Sequence, residues 1–210
     1  MRWYAPNTLD PSGWGLLPDG SAYSDGVNVA RRASYVVGKK LPNLPHIRRG
    51  AGIGTEAHHC VEAAQLGMVR DIVAPDPEYK QAVLCALRSW HIWLMRDVHI
   101  WVPWALEYAI GSAGLSAAGT IDALGILQMK GWPNPLRVGI DWKTGQKRKQ
   151  DQTKNALYDV IMRREMGLEM DAWLCVYLGK KEPGASTDTL DCASIKMVGL
   201  REEVLDKCQE

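Results

Sequence analysis

The chain has 210 residues but no long hydrophobic run, no paired-cysteine motif and no phenylalanine. No apolar run approaches the roughly 18 residues that a membrane-spanning helix needs, so we expect a soluble protein. The five cysteines form no CxxC pair, which argues against a zinc ribbon and against a cysteine-ligated iron–sulfur cluster. An odd number of cysteines without a signal peptide predicts free thiols in a reducing cytoplasm.

Net charge is also nearly absent, at +1 for the whole chain. This balance argues against a globally basic nucleic-acid-binding protein, so any such binding must depend on local basic patches. The sequence contains no internal repeat and no low-complexity tract, and its length suits a single domain with a sizeable core.

Two β-rich runs, 120–124 and 136–143, are separated by the turn-forming residues 131–135. This pattern predicts an antiparallel hairpin. The midpoint between Asp122 and Asp141 lies at the start of the turn, so these two residues should face each other to within a residue or two. Directly opposite residues have Cβ atoms roughly 5 Å apart.

Alternation along the second predicted strand separates a core face from a polar face. The core face holds Leu136, Val138, Ile140 and Trp142, and the polar face holds Arg137, Gly139, Asp141 and Lys143. Gly139 would leave room for a ligand to approach. Two close carboxylates repel each other unless one is protonated or a cation lies between them, and hard oxygen ligands suit Mg²⁺ or Mn²⁺. The alternative for Asp141 and Lys143 is a solvated ion pair on an edge strand.

Further helices and strands are predicted around this hairpin. The predicted helices span 56–66, 76–97 and 151–166, with a short one beginning at 200, and the other strands span 101–110, 172–178 and, more weakly, 195–198. The glycines of 50–54 should interrupt the chain before Thr55, the predicted N-cap of the first helix. Asp76 is the predicted N-cap of the second. The run 172–178 is nearly all apolar, which is typical of a strand buried on both faces.

Residues 1–50 are predicted to form an irregular basic arm with one short helix near 27–37, ahead of a core formed by 51–210. Three basic doublets lie in the arm: Arg31–Arg32, Lys39–Lys40 and Arg48–Arg49. Each is either a solvated surface pair or a contact to phosphate groups, which fix position without reading sequence.

His58 and Glu107 are further candidates for a site at the paired acids. His58 lies beside the buried stripe of its predicted helix, near the dipole-positive end. That position disfavours the imidazolium form and leaves a neutral ring able to bind a metal or accept a proton. A purely structural histidine is the alternative. Glu107 lies near the end of a predicted strand, where it either joins the site or is solvated.

A basic loop follows the second acid-bearing strand and leads into a helix. Lys147, Arg148, Lys149 and Lys154 gather behind that strand, and Gln152 and Tyr158 project from the helix. We predict a patch here that contacts the phosphate backbone of DNA, with Lys147, Arg148, Gln152, Lys154 and Tyr158 as the contacting residues. A lysine-rich solvated turn is the alternative.

Four short motifs occur in one order along residues 50–180. They are Gly54-Thr-Glu-Ala-His58, Gly119-Thr-Ile-Asp122, Asp141-Trp-Lys-Thr-Gly145 and the tyrosine-bearing helix around Tyr158. In these motifs the chain resembles the PD-(D/E)XK nuclease superfamily, in particular its RecB-like branch, which includes the lambda-type exonucleases. There are two departures. Ile121 stands where the superfamily's name has proline, and Lys154 stands where the branch usually has glutamine, with Gln152 the nearest glutamine.

The resemblance implies an α/β fold with a restriction-endonuclease-like core, in which helices flank a central mixed sheet in the order αβββαβ. It implies that His58, Asp122, Asp141 and the backbone carbonyl of Trp142 bind Mg²⁺ or Mn²⁺. It assigns catalysis to Asp122, Asp141 and Lys143, with Lys143 orienting or deprotonating the attacking water.

The implied activity is metal-dependent hydrolysis of DNA, more as an exonuclease than as a sequence-specific endonuclease. Such an enzyme would act in DNA recombination, repair or phage DNA processing, in a bacterial or phage-infected cytoplasm. A recombinase or single-strand annealing protein as partner, and a homo-oligomeric assembly, are further expectations. Two alternatives stay open: a catalytically silent DNA-binding or assembly protein with this fold, and a metal-dependent hydrolase of small phosphate compounds.

Overall fold

A computed structural model describes residues 15–16, 22–24, 29–32, 45–68 and 77–209 of the chain. Its strands are β1 (Gly15–Leu16), β2 (Ala22–Ser24), β3 (Val29–Arg32), β4 (Val98–Ser112), β5 (Ala117–Met129), β6 (Leu136–Lys143), β7 (Ala172–Leu178) and β8 (Ala185–Asp191). Its helices are α1 (Pro45–Gln65), α2 (Lys80–Asp97), α3 (Lys149–Ile161) and α4 (Ile195–Gln209), and a π-helical turn (Met162–Met166) extends α3.

Strands β4 to β8 lie side by side in chain order. Neighbouring strands are antiparallel except β6 and β7, which are parallel because α3 crosses over between them. The short strands β1 to β3 extend the sheet through a parallel contact of β3 with the start of β5. The chain is therefore a mixed α/β protein whose central sheet is flanked by helices.

The helices build two apolar cores against the sheet. Val61 of α1 and Trp93 of α2 belong to a cluster with Leu174 of β7. Leu157 of α3 belongs to a second cluster with Trp173, the neighbour of Leu174 on the same strand. Because successive side chains of a strand point to opposite faces, the two cores lie on opposite faces of the sheet.

The predicted hairpin and its register are confirmed. β5 and β6 pair antiparallel around a turn that follows Met129, with Ala123 opposite Ile140. One further step along the same register puts Asp122 opposite Asp141. The prediction of a strand at 172–178 is also confirmed, since all seven residues of β7 are buried. So is the prediction of free thiols, because none of the five cysteines forms a disulfide.

Predictions near the N-terminus need correction. Helix α1 begins at Pro45, so the glycines of 50–54 lie inside a helix and do not interrupt the chain. The hydroxyl of Thr55 donates to the Ala51 carbonyl one turn earlier, so it does not cap the helix. The prediction of a short helix near 27–37 is wrong for the described residues of this segment, because residues 29–32 form β3. Tertiary packing of Val61 and Ala57 outweighs the helix cost of glycine, about 1 kcal/mol each.

The C-terminal elements also differ from prediction. Residues 195–198 are not a strand but the first turn of α4, which runs to Gln209. The Ser194 hydroxyl accepts a hydrogen bond from the Met197 amide at 3.2 Å, which is an N-cap contact. The last strand is β8, a polar segment whose threonines suit a half-exposed strand. The predicted N-cap Asp76 lies outside the described residues.

Gly139 does not make room for a ligand. A Cβ at this position would overlap the indole ring of Trp173, which packs onto the backbone of β6 and is fully buried. Gly139→Ala should therefore lower the free energy of unfolding by about 1–3 kcal/mol, the usual cost of overpacking a core. Urea titration of the purified variant measures it. Gly199→Ala, in open space on α4, is the control and should not destabilise. Equal stability of the two variants would contradict the close packing of the Trp173 ring on Gly139.

Candidate metal centre

Three carboxylates lie in a row across neighbouring strands. Leu106 pairs with Ala123 and Tyr108 with Ile121, so the register places Glu107 opposite Asp122. The register of β5 and β6 places Asp141 opposite Asp122 on its other side. Directly opposite residues share a face of the sheet, so β4, β5 and β6 each contribute one acid to the same row.

Glu107 has an unusual backbone. Its φ is 48°, in the left-handed region that a residue with a side chain rarely adopts, and the strand pairing shifts register just before it, between Pro103 and Ala105. Such a conformation costs about 1–3 kcal/mol and persists only where surrounding structure enforces it. It breaks the ladder at the position where the Glu107 side chain meets Asp122. Strain of this kind is typical of functional positions.

His58, Glu107 and Asp122 form a cluster with the geometry of a metal site. Each offers one ligand atom, and the three atoms lie within 4.8 Å of one another. The Nδ1 atom of His58 is 3.5 Å from Oδ1 of Asp122. Helix α1 fixes the histidine because the adjacent Ala57 is fully buried against the sheet. An imidazole nitrogen with two carboxylate oxygens is a donor set that suits Mn²⁺ and, less strongly, Mg²⁺.

The second oxygen of Asp122 has a separate partner. The Trp142 amide donates a hydrogen bond of 2.6 Å to Oδ2, which ties β5 to β6 next to the site. Trp142 is itself buried, with its ring 5.4 Å from that of Trp93. This contact orients the carboxylate so that Oδ1 faces His58.

The predicted position of His58 at the start of its helix is wrong. The residue lies in the second half of α1, far from the dipole-positive end. Burial lowers the pKa of His58, but the charge and hydrogen bond of Asp122, together with the charge of Glu107, raise it by more, so it lies above its ordinary value. Asp122 therefore stabilises the imidazolium form relative to a histidine in water. The position was misjudged because α1 begins some ten residues earlier than its sequence indicates.

Asp141 is engaged by two lysines. The carboxylate is buried, Lys143 forms an ion pair with Oδ2, and Nζ of Lys154 lies 3.2 Å from Oδ1. Burial alone would raise the pKa of Asp141, but the two ammonium groups hold it well below its usual range. Burial likewise lowers the pKa of Lys154, but Asp141, Tyr158 and Asp122 together raise it by more. Asp141 is not part of the cluster formed by His58, Glu107 and Asp122, and β6 is a central strand, so the alternative of a solvated edge pair is wrong.

The structure does not place Tyr158 where DNA could reach it. Its side chain is 2% exposed, and its hydroxyl donates a 2.8 Å hydrogen bond to the carbonyl of Thr120. A Cβ on Gly119 would come within 2.6 Å of that hydroxyl, so the glycine allows this close approach. Lys154 also faces inward, with Nζ 5.1 Å from the centre of the Tyr158 ring. These two residues belong to the interior of the site and not to a DNA-contacting surface.

The other predicted DNA contacts lie nearer the surface. Lys147 is half-exposed and already paired, with Nζ 2.5 Å from Asp188 and 5.3 Å from the centre of the Tyr177 ring. Arg148 is exposed at the start of α3, and Gln152 is half-buried on the first turns of that helix. Arg148 is therefore accessible at the surface, whereas Lys147 would have to exchange its ion pair with Asp188 for any other partner.

Because the pKa of Glu107 is raised, we predict that the stability of the metal-free protein depends on pH. Burial and the neighbouring Asp122 raise its pKa from 4.5 to about 8, so the folded state holds a proton that the unfolded state releases. The contribution of Glu107 to the free energy of unfolding is fully present below about pH 4.5. It is lost as the pH rises toward 8, by at most about 1.4 kcal/mol per pH unit.

Urea unfolding at several pH values in EDTA measures this loss. Glu107→Gln should flatten the decline, whereas Glu202→Gln, on the exposed side of α4, should leave it unchanged. If the free energy of unfolding declined with pH equally steeply in Glu107→Gln and in the unsubstituted protein, Glu107 would not be the source of the decline.

Comparison with known proteins adds little to this geometry. No family model and no curated protein matches the chain. Among solved structures it is similar to one described as "Crystal structure of SSO0001", at 12% identity and a TM-score of 0.27, over 72% of this chain and 73% of that one. Within the part of the chain that the structure describes, no helix has the length and apolar character needed to cross a membrane.

Proposed function

We propose that the protein is a divalent-metal-dependent deoxyribonuclease with a PD-(D/E)XK-like core. The observation that carries the proposal is the row of Glu107, Asp122 and Asp141 across three neighbouring strands, with His58 and Lys143 beside it. Hydrolysis of a phosphodiester needs a cation, an oriented water and a positive group at the phosphate. This row supplies side chains of each required kind.

The residues present fit a resident Mg²⁺ or Mn²⁺. His58, Glu107 and Asp122 would hold the ion, since their ligand atoms already converge. That Asp141 and the Trp142 carbonyl also bind it remains a prediction. When bound, the ion would supply positive charge to the phosphate oxygens and lower the pKa of the attacking water.

The chain's own residues would position the reacting groups. Asp141 holds the Lys143 ammonium beside the cluster of His58, Glu107 and Asp122. From there the ammonium can donate a hydrogen bond to the attacking water or to a phosphate oxygen. The Trp142 amide holds Asp122 in the orientation that faces His58. Burial of Asp122 and Asp141 limits competing water and strengthens each electrostatic interaction.

The experiment is incubation of purified protein with linear and closed-circular DNA in Mn²⁺, Mg²⁺ or EDTA. Metal-dependent degradation of linear DNA alone indicates an exonuclease, and nicking of circles indicates an endonuclease. No cleavage with either metal, but retained DNA binding, would overturn the proposal in favour of a silent DNA-binding protein. Cleavage of small phosphate esters without cleavage of DNA would redirect it to a different hydrolase.

The basic loop provides a separate prediction about DNA binding. Replacing Lys147 and Arg148 together by alanine should weaken DNA binding and reduce its salt dependence, since each phosphate contact contributes about 0.9 to the slope of log affinity against log salt on duplex DNA. Binding of a labelled duplex over a range of salt concentrations measures this. Replacement of Lys196 on α4 is the control. An unchanged slope would exclude the loop from the interface.

A further inference from the structure

Lys154 occupies a central position among the acids of the site. Its Nζ lies 3.2 Å from Oδ1 of Asp141, and its charge also interacts with Asp122 and Glu107. The Lys154 side chain is 19% exposed, so it is largely shielded from solvent. One ammonium group therefore forms an ion pair with Asp141 and interacts electrostatically with the other two carboxylates.

The ammonium is also held in place. Nζ lies 5.1 Å from the centre of the Tyr158 ring, a distance suited to a cation–π contact. Tyr158 is fixed in turn by its hydrogen bond to the Thr120 carbonyl and by packing against Trp173, with ring centres 6.1 Å apart. Lys154 is thus fixed between a buried carboxylate and a buried ring, unlike a mobile surface lysine.

The charge balance limits how many cations the site can accept. With all three carboxylates ionised and His58 neutral, the state that would bind a cation, the two lysine ammonium groups leave one unit of negative charge. A single divalent ion already exceeds that charge. A second would have to bind beside two fixed ammonium groups, in a low-dielectric setting where like charges repel strongly.

We propose that the Lys154 ammonium takes the place of a second divalent cation, so that the site binds a single metal ion through His58, Glu107 and Asp122. This inference rests on the proposed function for its role in catalysis. Lys154 would neutralise Asp141 and present positive charge on that side of the site, as a second ion would in a two-metal phosphodiesterase. The number of ions can nevertheless be counted without any cleavage assay.

The test is the Mn²⁺ stoichiometry of metal-free protein, measured by electron paramagnetic resonance up to millimolar Mn²⁺. The variants are Lys154→Gln and Lys154→Met, which remove the charge and retain most of the side-chain volume. The matched control is Lys149→Gln, which removes a lysine from the same helix whose side chain is 80% exposed. Thermal unfolding of each variant verifies that it is folded before the ions are counted.

We expect one bound Mn²⁺ per chain in the unsubstituted protein and in Lys149→Gln, and a second in the two Lys154 variants. Two ions in the unsubstituted protein would overturn the inference, as would a single ion in both folded Lys154 variants. Absence of Mn²⁺ binding would overturn the metal site itself. DNA cleavage is measured on the same samples. If the unsubstituted protein binds one ion but cuts no DNA, the proposed nuclease activity fails while the ion count stands.

Discussion

Replacing Lys143 by alanine is expected to lower Mn²⁺-dependent DNA cleavage by at least about a hundredfold, the usual cost of removing one charged group from a developing transition state. Lys143 forms an ion pair with the buried Asp141, beside the proposed metal ligands, and its side chain is only 15% exposed. Removing it deletes the ammonium that would orient water and stabilise charge on the phosphate. Initial rates on linear DNA, measured with enzyme in excess, give the effect on chemistry without contributions from turnover.

Companion variants separate the roles within the site. Asp122→Asn should lose both cleavage and Mn²⁺ affinity, because the carboxylate of Asp122 is one of the three converging ligand groups, with His58 and Glu107. Lys143→Ala should lose cleavage while still binding Mn²⁺, and Lys196→Ala on the exposed side of α4 should match the unsubstituted protein. Full cleavage by folded Lys143→Ala would contradict the scheme.

The hairpin that carries the two aspartates could be predicted because its information is local. Turn residues between two β-rich runs fix the register, and the register alone decides which acids face each other. The same reasoning could have found Glu107, since the midpoint between Glu107 and Asp122 falls in the turn between β4 and β5. The strand-end position of Glu107 and a general preference of carboxylates for solvent obscured it.

The surroundings of Lys154 and Tyr158 could not be predicted in this way. A helical repeat shows which residues share a face, but not which face meets the sheet when several are apolar. α3 has buried residues on nearly every side, so its tyrosine points into the core. The weak predictions near the C-terminus failed for a related reason: Ile195 is apolar yet 91% exposed, while the polar β8 completes the sheet.

Asp159 provides the prediction with the largest expected effect on stability. This carboxylate on α3 is 1% exposed and accepts hydrogen bonds from Arg163 at 2.8 Å, Arg201 at 2.7 Å and the Trp173 indole at 3.0 Å. It therefore joins α3 to α4 and to β7 through one group. Removing it leaves the largely buried Arg201 without its carboxylate, although Arg163 keeps its ion pair with Glu169. Breaking a buried ion pair by removing one partner costs about 3–5 kcal/mol.

Asp159→Ala should accordingly lose about 3–5 kcal/mol in urea unfolding, which is much of the stability of a typical domain. Asp159→Asn keeps an acceptor for the Trp173 indole but not the negative charge, so it should be destabilised less and remain folded for measurement. Asp206→Ala, exposed on α4, is the control and should change stability by no more than about 0.5 kcal/mol. A loss below about 1 kcal/mol in Asp159→Ala would mean that the ion pair between Arg201 and Asp159 does not contribute to stability. In that case apolar packing alone, around residues such as Leu157 and Val204, would hold α4 against α3.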